Sequence, residues 1–182
     1  MSEASGVRQR RLVGFAGESG SGKTTLIEQL VVLLRGRGQQ VSVIKHAHHR
    51  VEFDRPGKDS WRHREAGACE VLLVSPRLLA LQRVRADGAS DTVVEWARML
   101  QPVDWILVEG YRHAPMPKIE VWRTGATQPP LSDSDPQVVA VATDEPARFA
   151  ACRVPCLDLN QPASVADWLL AHAERFVLAD ET

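Results

Sequence analysis

The sequence predicts an α/β domain of three layers, a mostly parallel central sheet between helices, with a β-hairpin insertion. Three observations carry this expectation. Residues 11–16 (Arg-Leu-Val-Gly-Phe-Ala) read as a short buried strand. A Gly/Ser-rich turn follows, and residues 24–35 then place Leu26, Ile27, Leu30, Val31, Leu33 and Leu34 at a helical period. A second strand at 40–45 completes a strand–helix–strand order, the pattern of a parallel βαβ unit.

The remaining elements follow in order. Gly36 and Gly38 stop the first helix. Residues 46–58 are rich in His, Asp, Arg, Pro and Gly, and read as a functional loop. A helix is expected over 59–67. Strands at 70–75 and 78–83 are joined by a Ser-Pro-Arg turn as a hairpin. A helix over 91–101 has Asp91 near its N-cap. Residues 104–108 (Asp-Trp-Ile-Leu-Val) form a buried strand that runs into Glu109-Gly110. Further strands are expected at 119–122, 137–142 and 155–159, and a closing helix at 162–178. The stretch 124–136 is a Gly/Pro/Ser/Asp loop open to movement. Residues 10–178 read as a single domain, and 1–9 and 179–182 as flexible termini.

Composition narrows the function. Apolar residues make up 44% of the chain and charged residues 25%, an ordinary globular balance. A net charge of −1 gives no basic field for nucleic acid and no basic amphipathic stretch for a membrane surface. No apolar run reaches the roughly 18 residues that span a bilayer, and the polar N-terminus lacks a signal-peptide core. The expected location is therefore the cytoplasm. Cys69, Cys152 and Cys156 are an odd set without zinc spacing, and fit packing or surface thiols. Lysine is rare: only Lys23, Lys45, Lys58 and Lys118 occur, each in or beside a segment of interest.

Gly17-Glu18-Ser19-Gly20-Ser21-Gly22-Lys23-Thr24 matches G-x-x-x-x-G-K-[ST]. A triphosphate needs many donors aimed at one small volume. The backbone amides of residues 18–25, Thr25 included, supply them if the chain turns tightly, which the glycines permit. The helix that opens at Lys23 directs its positive end at the anion. Lys23 is expected on the β- and γ-phosphates, and the Thr24 hydroxyl on Mg²⁺. The motif follows a buried strand and opens an amphipathic helix, so the fold expectation becomes a three-layer P-loop NTPase fold.

Such a loop needs a second acid for the magnesium at the end of a neighbouring strand. Asp104 precedes its strand and faces the wrong end of a parallel sheet. Glu109 ends it, where active sites gather, and is the expected Walker B acid. The segment 45–60 starts at the carboxyl end of the second strand. Asp54 and Asp59 there are candidates for Mg²⁺ or for orienting water, and Lys45 and Lys58 for phosphate. His46, His48 and His49 also admit a transition-metal reading. Arg62, His63 and Arg64 are either an anion patch or the wet face of a helix.

The ordered set Gly-Glu-Ser-Gly-Ser-Gly-Lys-Thr, Lys45-His-Ala-His-His, Phe53-Asp-Arg-Pro-Gly-Lys-Asp-Ser60, Arg62-His-Arg-Glu-Ala-Gly-Ala68, Val108-Glu-Gly-Tyr-Arg112 and Pro117-Lys-Ile119 resembles the MobB family. These are the molybdopterin-guanine dinucleotide biosynthesis adaptor proteins. The resemblance runs over roughly residues 11–123 and more weakly beyond. It implies a GTP-binding, weakly hydrolysing homodimer that assists MobA in attaching GMP to molybdopterin. It also implies phosphate contacts from residues 17–25, and a magnesium side formed by Asp54, Asp59 and Glu109. No Asn-Lys-x-Asp guanine reader is present. Asp144, after a C-terminal strand, is the nearest candidate for reading the base, or else an ordinary helix cap. Two rival readings use the same loop. One is a small-molecule kinase with Asp54 as base; the other is a metallochaperone GTPase using the three histidines.

Overall fold

The computed structural model describes residues 9–47, 54–86 and 92–178. The described residues up to His46 and from Thr92 onward form one compact unit, and those between form a second.

The first unit is built on a sheet of six strands, β1 (Arg11–Ala16), β2 (Val41–Lys45), β5 (Trp105–Glu109), β6 (Lys118–Trp122), β7 (Val138–Thr143) and β8 (Cys156–Asp158). Their order is β2-β5-β1-β6-β7-β8, and every ladder is parallel. The expected β1–helix–β2 unit is present, but β5 is inserted between its two strands. β1 and β5 sit mid-sheet, covered on both faces, which is why they read as continuous apolar runs rather than alternating ones.

The two faces carry different cores. Val13, Phe15, Trp105 and Leu107 pack under α1 (Lys23–Gly36) and α4 (Pro162–Ala171). Leu26, Ile27, Leu30 and Leu34 make the buried stripe of α1, and Val165, Ala166 and Leu169 that of α4. On the other face Leu12, Ile106 and Val108 meet Val93 and Ala97 of α3 (Val93–Met99). Helix, sheet and helix are the three expected layers. A further cluster of Ala16, Trp122, Leu131, Val138, Val141 and Phe149 closes the β6–β7 end.

The bounds of α3 and α4 differ from expectation. Asp91 lies outside the described residues; Thr92 caps α3, its side chain accepting from the Glu95 amide. The closing helix stops at Ala171 instead of running to 178. His172 leaves the helical region (φ −116°) and stacks on Trp168, and a 3₁₀ turn, Ala173–Phe176, follows. This bend brings Phe176 to 1% exposure, with its ring 5.7 Å from that of Trp105.

The second unit holds α2 (Asp59–Glu65) and the expected hairpin, β3 (Glu70–Val74) against β4 (Leu79–Arg83), antiparallel. Ser75 closes the turn, exchanging hydrogen bonds with the backbone of Leu78. Leu72, Leu73, Val74, Leu78, Leu79 and Leu81 are all exposed on this ribbon.

Candidate functional site

The site is built at the carboxyl ends of β1, β5, β6 and β7. The chain leaves β1 through Gly17, Gly20 and Gly22, all at positive φ (153°, 79° and 97°). Gly17 is required for space as well. A Cβ there would sit 2.2 Å from the Val121 carbonyl of the neighbouring strand. Ser19, Gly20, Thr24 and Thr25 are exposed, whereas Ser21 is buried with its hydroxyl behind the loop, against Gly17. Gly22 is the N-cap of α1, so the unpaired first-turn amides of a 14-residue helix face the loop's concavity.

Lys23 Nζ donates to the carbonyls of Gly17 (3.0 Å) and Glu18 (2.6 Å), which holds the lysine across the mouth of its own loop. Its ammonium has three N–H donors, so one remains for an anion. Burial lowers the Lys23 pKa, with Lys45 and Arg112 pushing the same way and Glu109 opposing. That concentration of cations suits a polyanion.

The structure brings Thr24 and Glu109 together. The Thr24 hydroxyl donates to Glu109 Oε1 at 2.7 Å, and Lys45 Nζ lies 3.2 Å from the same oxygen. The Glu109 side chain is 12% exposed, at the end of β5. A hydroxyl and a carboxylate converging at a helix N-terminus are hard oxygen donors, the set that magnesium accepts. Gly110 (φ 100°) and Tyr111 (φ 49°) then turn the chain sharply. A Cβ on Gly110 would come 2.9 Å from that of His46, whose ring stacks on Tyr111 with centroids 4.3 Å apart.

Glu18 and the loop 124–136 are joined. The Glu18 carboxylate accepts from the Thr127 amide (3.0 Å) and hydroxyl (3.2 Å), and from the Gln128 amide. The Thr127 amide is the main reason its pKa is lowered. Glu120, 2% exposed, accepts from the amides of Leu131 (2.6 Å) and Ser132 (2.9 Å). Asp144 accepts from the Thr124 amide (2.8 Å) and hydroxyl (3.1 Å), and that amide leads the causes of its lowered pKa. Three carboxylates thus hold a stretch that composition alone marks as loose.

Asp54 and Asp59 lie in the second unit. Asp54 is held below the ordinary carboxylate value, first by a hydrogen bond from Ser60, with Gln82 and the Arg55 amide helping. Asp59 opens α2. His48 and His49 are outside the described residues. Among the described residues no group of three His, Cys, Asp or Glu side chains is placed to hold a metal ion. Among them also, no helix is long and apolar enough to cross a membrane.

Sequence reasoning passed over Lys118 as a site residue. It is 1% exposed, and its ammonium donates to the carbonyls of Arg112 (2.8 Å) and Ala114 (2.9 Å) and to Asp135 Oδ2 (2.8 Å). It thereby fastens the loop after β5 to the loop after β6. The rarity of lysine was the available signal.

Comparisons with known proteins identify the family. The family model for MobB, molybdopterin guanine dinucleotide synthesis protein B, matches residues 12–144. The chain is 39% identical over 158 residues to the molybdopterin-guanine dinucleotide biosynthesis adapter protein of Haemophilus influenzae, covering 87% of this chain and 86% of that protein. It is 38% identical over 162 residues to the protein so named in Escherichia coli, covering 87% and 91%. A crystal structure of molybdopterin-guanine biosynthesis protein B superposes with a TM-score of 0.65 at 27% identity, over 88% of this chain and 98% of that one. Bacillus subtilis MobB has the same fold, with a TM-score of 0.67 at 23% identity over 88% and 96%. The chain belongs to the MobB family.

Proposed function

We propose, with membership of the MobB family as the premise, that this protein binds GTP with Mg²⁺, hydrolyses it slowly, and acts as an adapter in molybdopterin-guanine dinucleotide biosynthesis. The nucleotide-binding and pathway roles follow from the family. GTP, magnesium and the partner are the finer part of the reading.

The observation that carries it is the Thr24–Glu109 contact beneath a glycine loop already spanned by Lys23. The loop amides of Glu18, Ser19, Gly20, Ser21, Gly22, Lys23, Thr24 and Thr25 bind the phosphates. Lys23 turns its remaining N–H to them. Thr24 and Glu109 would hold the magnesium, which would supply charge neutralisation at the phosphates. Lys45 orients the Glu109 carboxylate. The family resemblance also offers Asp54 and Asp59 as magnesium-side carboxylates. Asp144 reads guanine, accepting from its N1–H and N2 amine.

The protein works as a homodimer beside MobA, the nucleotidyltransferase that joins GMP to molybdopterin, in the cytoplasm. The exposed leucines of the β3–β4 ribbon support self-association. A two-stranded ribbon with apolar side chains on both faces is only marginally stable by itself in water.

The test is calorimetric titration with GTP and with ATP in the presence of magnesium, followed by a pull-down from cell extract with and without GTP. The reading expects tighter binding of GTP and recovery of the nucleotidyltransferase. Equal affinity for ATP would remove the guanine claim, and failure to recover that enzyme would remove the adapter claim.

A further inference from the structure

Lys45 ends β2 and Glu109 ends β5. The two strands are parallel neighbours, and these residues are register partners at the carboxyl edge of the sheet. The chain is fastened just beyond them as well, since the His46 amide donates to the Glu109 carbonyl at 2.9 Å. The Lys45 backbone is therefore a fixed point from which a flexible four-carbon stem can swing. That stem is open to solvent: the Lys45 side chain is 59% exposed, against 12% for Glu109.

Glu109 Oε1 carries two groups at once. The Thr24 hydroxyl donates to it at 2.7 Å and the Lys45 ammonium at 3.2 Å. A carboxylate oxygen has about two acceptor directions, so these two donors fill it. The ammonium thus sits beside the hydroxyl and on the carboxylate oxygen assigned above to magnesium. A dipositive ion held by Thr24 and Glu109 would meet Lys45 at ion-pair range, where like charges repel. Lys45 must then leave Glu109, and its stem lets it. Its destination follows from the nucleotide. The metal of a phosphate loop bridges the β- and γ-phosphates. The terminal phosphate therefore lies against the Thr24–Glu109 pair, within reach of a stem whose end already touches Glu109. Lys45 comes to it from the β2 side of Glu109, and Lys23 from the loop that follows β1. A diphosphate offers Lys45 no such group.

We propose that Lys45 holds the place of the metal on Glu109 in the nucleotide-free protein and passes to the terminal phosphate when a metal–triphosphate enters, so that it selects triphosphate over diphosphate. An exposed ion pair is weak, so little is lost on leaving Glu109. A charge-assisted hydrogen bond to phosphate is stronger, so the transfer is favourable. The proposal rests on the phosphate-loop reading above and deepens it by naming the residue that reads the third phosphate.

The test uses the full chain, with thermal unfolding to check that each variant folds. Affinities for GTP and GDP at saturating magnesium, and the magnesium midpoint of GDP binding, are measured for the wild type, Lys45→Met and Lys45→Arg. The two halves of the proposal predict opposite signs. Lys45→Met should weaken GTP by about 10-fold or more, the loss of one charge-assisted hydrogen bond, and leave GDP within about twofold. Its magnesium midpoint with GDP should fall by about 2- to 5-fold, because a competitor of the strength of an exposed ion pair has gone. Lys45→Arg keeps a cation and should keep most of the preference for GTP. Equal weakening of GTP and GDP, or weakening of neither, would overturn the phosphate role, as would an arginine variant that loses as much as methionine. A raised or unchanged magnesium midpoint would overturn the place-holding role, since Lys45 would then stay on Glu109 with the metal bound. In each of these cases the wild type still binds both nucleotides, and the phosphate loop stands. A wild type that binds neither removes the loop reading itself, and the proposal with it.

Discussion

Replacing Lys118 by methionine should cost roughly 3–5 kcal/mol of folding stability, the usual toll of breaking a buried ionic contact from one side. The figure can be built from the contacts. The 1%-exposed ammonium serves two backbone carbonyls and the Asp135 carboxylate, all at 2.8–2.9 Å. Each carbonyl left without a donor costs on the order of 1 kcal/mol, and the charge-assisted bond about 1.5–3. For a chain of this size that corresponds to about 6–20 °C in Tm, readable by calorimetry or by urea unfolding at unchanged m-value. The pH dependence gives a second handle. Burial raises the Asp135 pKa, but the Lys118 hydrogen bond, the Gln137 amide and the Lys118 charge outweigh it, and the net direction is downward from the ordinary 3.8. A depressed carboxyl contributes stability above its unfolded pKa and loses it as pH falls through the folded one. The wild type should therefore lose this contribution below about pH 4, and Lys118→Met should show a shallower acid slope over that window. A loss under about 1 kcal/mol with an unchanged acid slope would refute the reasoning, since Lys118 would then be replaceable by any buried chain of its length.

Gly17→Ala places a Cβ 2.2 Å from the Val121 carbonyl, a clash that backbone must absorb, whereas Gly20→Ala meets nothing within 4 Å. Thermal unfolding should show a loss several-fold larger at Gly17; equal losses would mean that positive φ alone decides. Glu109→Gln should keep the fold but weaken the magnesium dependence of GTP binding by about 10- to 100-fold, as loss of an outer-sphere carboxylate does. A magnesium titration of nucleotide affinity checks it, and an unchanged midpoint counts against Glu109. Glu18→Ala should speed amide exchange at Thr127 and Gln128, both of which donate to that carboxylate. In the wild type the same protection should fade as pH falls below 4.5, because the Thr127 amide first of all holds the Glu18 pKa down. Exchange unaltered by the mutation would show that the loop is fastened elsewhere.

Local patterns carried much of this fold. The glycine loop, the helix it opens and Glu109 at a strand end were legible because each is a run of adjacent residues with one physical meaning. The hairpin was legible from its turn. The insertion of β5 between β1 and β2 was not, because the order of parallel strands is set by packing on two faces, and β1 and β5 are equally apolar. The burial of Lys118 and Glu120 was illegible for a related reason, and only the rarity of lysine marked the former. Two charges at alternate positions of a strand suggest a wet face, yet all five residues of β6 are buried. Asp135, Leu131 and Ser132, which complete their hydrogen bonds, come from a distant loop. The tie between Asp144 and Thr124 likewise joins residues 20 positions apart. The closing helix was read too long because its apolar side continues past His172; only the stacking on Trp168 and the burial of Phe176 reveal the bend.

The loop of Gly17, Gly20, Gly22, Lys23 and Thr24 as a triphosphate site is the central claim, and Lys23→Ala tests it most directly. Titration calorimetry with GTP and magnesium should show the affinity falling by about 10- to 150-fold, equivalent to one charge-assisted hydrogen bond of about 1.5–3 kcal/mol. The Tm should change little, since the lysine's hydrogen bonds among the described residues go to its own loop carbonyls. GTP bound as tightly by Lys23→Ala as by the wild type would contradict the account.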